Sequence, residues 1–114
     1  MPNPLGDRIR ILREEKDLTL EGLAALVDSS KSYIWELENK NVARPSAEKL
    51  QQIAKALGTT AEYLLTPEQV TAEDAADQDF YRRYKQMDAP AKAKLQKMLK
   101  ILDEDDLVVL SRTF

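Results

Sequence analysis

The chain has 114 residues, with 17 Lys plus Arg against 20 Asp plus Glu, a formal net charge of -3, and neither His nor Cys. This length suits one small domain with an appendage. Without His and Cys, the usual zinc, haem and iron–sulfur ligand sets, the thiol nucleophile, the imidazole base and any disulfide are all excluded, so no enzyme, metal or other cofactor is expected. The opening MPNPLGDRIRILREE puts arginines and acids where a secretion signal carries an apolar stretch, and the longest apolar run, Leu107 to Leu110, is too short for a bilayer. A cytoplasmic protein with no membrane contact is expected, and the acidic balance by itself points away from nucleic acid.

Three glycines and apolar residues recurring at three and four spacings indicate an all-α protein. Leu5, Ile9 and Leu12 stripe a first helix that opens at Pro4 and ends near Asp17. Thr19 caps a short second helix striped by Leu20, Leu23, Ala24 and Val27, and Asp28, Ser29 and Ser30 break it. Ser30 caps a third helix with Ile34 and Leu37 inward, reaching about Glu38 before a turn at Arg44 and Pro45. Ser46 caps a fourth, striped by Leu50, Ile53, Ala54 and Leu57, with Gly58 at its left-handed end. Thr60 caps a fifth, which ends at Leu64 and Leu65 before Pro67.

Residues 1–66 thus form a five-helix domain. Residues 67–79 hold five acids (Glu68, Glu73, Asp74, Asp77, Asp79), no base and little large apolar surface apart from Val70, and are expected to be a linker, with room for one helical turn. In residues 80–114, Phe80, Tyr84 and Met87 precede a turn at Asp88 to Pro90, and Leu95, Met98, Leu99 and Leu102 stripe a final helix, which makes a helical hairpin. The acid run Asp103 to Asp106 and the tail LVVLSRTF follow.

The informative stretch is TLEGLAALVDSSKSYIWELENKNVARP, from Thr19 to Pro45. A short helix, a tight break and a second short helix with two or three buried positions is the layout of a helix-turn-helix. Its second helix keeps Lys31, Ser32, Trp35 and Glu36 on one outward polar face that suits the major groove of DNA. Residues 5 to 65 resemble the Cro and phage-repressor class of helix-turn-helix proteins, the XRE family. The matching residues are Leu5-Gly-Asp-Arg-Ile, Leu23-Ala24, Ser32-Tyr33-Ile34, Leu37-Glu38-Asn39, Arg44-Pro45-Ser46, Leu50, Ile53-Ala54, Ala56-Leu57-Gly58 and Tyr63-Leu64-Leu65, in that order and spacing.

The resemblance implies double-stranded DNA as partner and base readout by Lys31, Ser32 and Glu36, with Lys31 donating to guanine O6 and N7 and Glu36 accepting from cytosine N4. It implies backbone contacts from the amides of Leu20 and Lys31, the side chains of Ser30 and Asn39, and Arg13, Lys40 and Arg44. Trp35 either lies against the DNA backbone or a thymine methyl, or packs on the loop from Asn39 to Arg44. Three positions depart from the family pattern: Asp28 replaces the turn glycine, Gly22 replaces Glu or Gln in the second helix, and Leu20 offers only its amide.

One such module reads few base pairs, so the resemblance implies a homodimer on a palindromic operator, most often as a repressor. The hairpin residues Phe80, Tyr84, Met87, Leu95, Met98, Leu99 and Leu102 either dimerise or fold back on the first domain. The residues beyond 65 are too few for a sizeable small-molecule effector domain, and none is expected. The alternative is an antitoxin or protein-interaction module whose C-terminal tail docks a partner protein. The first 65 residues carry nine bases and ten acids and the remainder eight and ten, so position rather than net charge must supply any docking face.

Overall fold

The computed structural model describes residues 3–40 and 45–113, with side chains as far as 104. Among these residues it is entirely helical: α1 (Pro4–Glu15), α2 (Leu20–Leu26), α3 (Lys31–Asn39), α4 (Ala47–Ala56), α5 (Ala61–Leu65), α6 (Ala72–Gln86) and α7 (Ala89–Thr113). None of the described helices is long and apolar enough to cross a membrane. Two compact units divide the chain, Met1–Phe80 and Tyr81–Phe114.

Side-chain caps set the helix starts. Thr19, Ser30, Ser46 and Thr60 accept from the amides of Gly22, Tyr33, Lys49 and Tyr63 at 2.9 to 3.1 Å, each replacing a partner that the first helical turn lacks. Three helices end alike. Asp17, Asp28 and Gly58 have φ of 55°, 52° and 70°, and the next residue's amide returns to the carbonyl of Arg13, Ala24 and Ala54 at 3.0, 2.9 and 2.9 Å. This left-handed closure favours glycine, and at the α2–α3 turn Asp28 adopts it. The stripes of α1 to α5 meet in one core, in which Ile9, Leu23, Val27, Ile34, Ile53, Leu57 and Leu64 are fully buried.

The orientation of α3 is fixed from α1. Gly6 lies so close to α3 that a Cβ there would overlap the Leu37 carbonyl oxygen. Asn3 accepts from the Gly6 amide through Oδ1 at 3.2 Å and donates through Nδ2 to the carbonyls of Leu37 and Lys40 at 2.9 and 3.0 Å. One side chain thereby caps the start of α1 and the end of α3. Nearby, Arg13 Nε and Nη2 donate to Glu38 Oε2 and Oε1 at 2.7 and 3.0 Å, and Nη1 donates to the Leu18 carbonyl at 2.7 Å. The Arg13 and Glu38 side chains are 11% and 1% exposed. Chiefly through the hydrogen bond to Glu38, the guanidinium is held above the ordinary arginine range.

One segment differs from the sequence expectation, and another, the tail, is left open by the sequence. Of the expected 67–79 linker, residues 72–79 are helical: Thr71 Oγ1 accepts from the Asp74 amide at 3.0 Å, Glu73 and Asp74 occupy the first turn, and Ala75 and Asp79 are buried. Acids clustered after a capping threonine favour the positive end of a helix, so the same charges that suggest a linker support α6. The final helix also runs through the acid cluster and tail to Thr113. The hairpin itself forms as expected: Asp88 Oδ1 accepts from the Ala91 amide at 2.9 Å, and Gln96 Nε2 on α7 donates to the Tyr84 hydroxyl on α6 at 2.9 Å.

Gly6→Ala is expected to lower stability by about 2 kcal/mol, because the added methyl must separate α1 from α3; thermal unfolding measures this. Glu38→Gln is expected to cost about 3 kcal/mol by leaving a buried guanidinium without its charge partner, seen as a lower urea midpoint at unchanged slope.

Candidate nucleic-acid interface

Helix α3 divides its surface cleanly. Ile34, Leu37 and Glu38 are buried, Tyr33 is half-buried with its phenol pushed up by desolvation, and Lys31, Ser32, Trp35, Asn39 and Lys40 are exposed, with Glu36 half-buried between them. Burying Ile34 and Leu37 forces Lys31, Ser32, Trp35 and Glu36 to the opposite side, since side chains three and four apart share a helix face.

Two shallow clefts flank this ridge and share Lys31. One, of about 440 Å³, is lined by Arg13, Thr19, Leu20, Glu21 and Lys31; the other, of about 360 Å³, by Lys31, Ser32, Trp35 and Glu36. Lys31 Nζ lies 3.5 Å from Glu21 Oε1, both side chains well exposed at 60% and 74%. At the far end of α3, Lys40 Nζ stands 5.7 Å from the Trp35 ring centroid, and Asn39 Nδ2 donates to the Trp35 carbonyl at 2.9 Å. Trp35 is 45% exposed, a flat apolar surface with a cation over its ring. On the other side of the turn, Lys49 Nζ donates to the Val27 carbonyl at 2.6 Å and ties α4 to the end of α2.

The structure brings Lys31, Ser32, Trp35 and Glu36 together and leaves Asn39 and Lys40 on the exposed end of the same helix. Ser30 is exposed, with its hydroxyl oxygen accepting from Tyr33. The Leu20 side chain packs against the core. Arg13 is a correction. Expected as a backbone contact, it commits Nε, Nη1 and Nη2 to Glu38 and Leu18 and is nearly buried, so its charge serves α3 from inside. Arg44 lies outside the described residues. Sequence spacing missed Glu21, which sits ten positions before Lys31 and reads as an ordinary acid in the first turn of α2.

In the hairpin, Phe80, Met87, Met98, Leu99 and Leu102 are exposed, whereas Tyr84 and Leu95 are half-buried. Tyr81 and Ile101, not anticipated, are also exposed, at 59% and 55%. Side chains of the tail Leu107 to Phe114 lie outside the described residues.

A helix-turn-helix family model matches residues 9–64. Among solved structures, the chain is similar to SinR, described as a master regulator for biofilm formation and solved in complex with DNA. The two are 31% identical over 54% of this chain and 97% of that one, with a TM-score of 0.51. A chain of a SinR protein/SinI protein complex aligns over 90% of this chain and 97% of its own length, at 23% identity and a TM-score of 0.52, a likeness of fold. No curated protein matches the chain. With α2 and α3 built as a helix-turn-helix inside the matched region, the chain belongs to the XRE family of helix-turn-helix DNA-binding regulators.

Proposed function

We propose that the protein is a sequence-specific repressor that binds a palindromic operator as a homodimer in the cytoplasm, with α3 in the major groove. The observation that carries this reading is the division of α3: its apolar side and Glu38 are held by the domain, and Lys31, Ser32, Trp35 and Glu36 stand on the open ridge. Lys31 donates to guanine, Glu36 accepts from cytosine, and Ser32 contacts either a base or a phosphate. Lys40, Asn39, Ser30 and the Leu20 amide hold the phosphates, and Trp35 lies against the sugar-phosphate backbone. SinR, solved with DNA and 31% identical to this chain, supports the assignment. The reading requires no cofactor and no catalytic residue.

Dimerisation is assigned to the hairpin, whose exposed Phe80, Met98, Leu99 and Leu102 form more apolar surface than a two-helix unit hides. Two copies then meet half-sites about 34 Å apart, or a multiple of that. The same stripe favours a second reading, an antitoxin or other regulator whose C-terminal helix takes a protein partner; the likeness of fold to a chain of the SinR/SinI complex keeps it in view.

Selecting bound sequences from random duplex DNA tests the assignment: a palindromic consensus is expected, and failure to enrich any sequence would sink it. On the selected duplex, Lys31→Ala is expected to relax preference at one base position, a loss of roughly 1–3 kcal/mol of discrimination. Lys40→Ala should weaken binding to all sequences and reduce the salt slope by about 1. Replacing Met98 and Leu102 together by Glu is expected to yield monomers in sedimentation and to weaken operator binding at least about tenfold, the loss of linked half-sites.

A further inference from the structure

We propose that Glu21 is a positioning residue for Lys31 and sets the base specificity of the α3 ridge; this rests on the reading of Lys31 as a base contact. The Glu21 carboxylate lies 3.5 Å from the Lys31 ammonium across the break between α2 and α3. Both line one cleft, and the other cation there, Arg13, is turned inward to Glu38 and Leu18. Lys31 is therefore the cation that this cleft offers to a ligand.

A lysine ammonium is a point charge with three donors on a flexible stem, so by itself it meets a phosphate as readily as a base. Phosphates are the more numerous target, and contacts to them carry no sequence information. Glu21 changes that balance in two ways. Its carboxylate draws the ammonium toward the break between α2 and α3, beside the ridge, where the O6 and N7 acceptors of a guanine would stand in the major groove. A swing of Lys31 to the backbone separates it from Glu21 and leaves the carboxylate facing phosphates without its counter-charge. The pair thus persists on a guanine and breaks on the backbone, which penalises non-specific binding while sparing specific binding. An exposed pair of this kind contributes little to folding, so its position on the ridge matters more than its strength.

The test titrates the full chain, Glu21→Gln, Lys31→Met and the double variant against the duplex enriched by selection and a random-sequence duplex of equal length, at several salt concentrations. Glu21→Gln is expected to bind the random duplex about fivefold more tightly, with a salt slope steeper by up to about 1. It should bind the selected duplex no more tightly than the parent and show a weaker guanine preference at the Lys31-dependent position. In the Lys31→Met background, adding Glu21→Gln should no longer alter base preference there. The unfolding midpoint of Glu21→Gln should fall only by the small share that an acid in the first turn of α2 contributes. Equal tightening on both duplexes, which leaves the affinity ratio unchanged, would show a bare charge effect and overturn the proposal, as would a change in base preference that persists in the Lys31→Met background. The reading beneath it fails differently: the parent then selects no sequence, or Lys31→Met leaves every base preference intact.

Discussion

The bidentate contact between Arg13 and Glu38 governs how this small domain presents α3. Two of the three guanidinium nitrogens meet both carboxylate oxygens, and the third reaches the Leu18 carbonyl, so one side chain joins α1, α3 and the connection into α2. Moving two charges out of water is costly, and only a planar fork that satisfies both oxygens offsets it. A lysine would supply the charge without the fork. Because the folded state holds the Arg13 proton more tightly than the unfolded chain, this stabilisation is complete below the unfolded pKa and is lost as pH rises through the folded one. Both lie far on the alkaline side, so the brace is intact at neutral pH.

Around this brace the remaining contacts have a common effect. Asn3 closes the last carbonyls of α3, Gly6 permits the helices to touch, and Asp28 closes α2 in a left-handed turn two residues before the next cap. Each removes freedom from α3 before any ligand arrives. A recognition element ordered in advance loses less entropy on docking, so more of its contact energy is available for choosing between ligands. This accounts for a domain of five short helices investing a buried ion pair at one face of one helix.

Local features of the fold were legible in the sequence. Thr19, Ser30, Ser46 and Thr60 mark helix starts, Gly58 marks an end, and the separation of Ile34 and Leu37 from Lys31 and Trp35 on α3 follows from spacing alone. Features that depend on helices meeting were not. Glu38 lies next to an apolar position and reads as a solvated acid until α1 is placed beside it; Arg13, by the same blindness, reads as a surface cation. The acids of 67–79 were ambiguous in a different way, because depletion of apolar residues suggests a linker while acids after Thr71 suit a helix start. Where the final helix ends was left open by the sequence; no Gly or Pro occurs between Ala91 and Thr113 to stop it, and α7 runs on through the acids Asp103 to Asp106. Glu21 was the least legible, since its ion pair is with a neighbour across a turn.

The acidity of the chain then has a consequence for binding. With a net charge of -3, Arg13 turned inward and Lys31 paired to Glu21, the α3 face holds, among the described residues, few cations free to neutralise phosphates. Counterion release, the main source of sequence-independent affinity for DNA, scales with the number of such neutralisations, so one copy on the proposed reading adheres weakly to arbitrary duplex. Affinity must come from elsewhere. Joining two copies makes the second contact intramolecular and multiplies affinity by roughly 10² to 10⁴ without any new interaction, but only where two half-sites stand at the right separation. On the proposed reading the exposed Met98, Leu99 and Leu102 of α7 are the surface for that joining. A weak, acidic reader so coupled would bind strongly only where sequence and spacing are both correct, and a more basic domain would forfeit that selectivity.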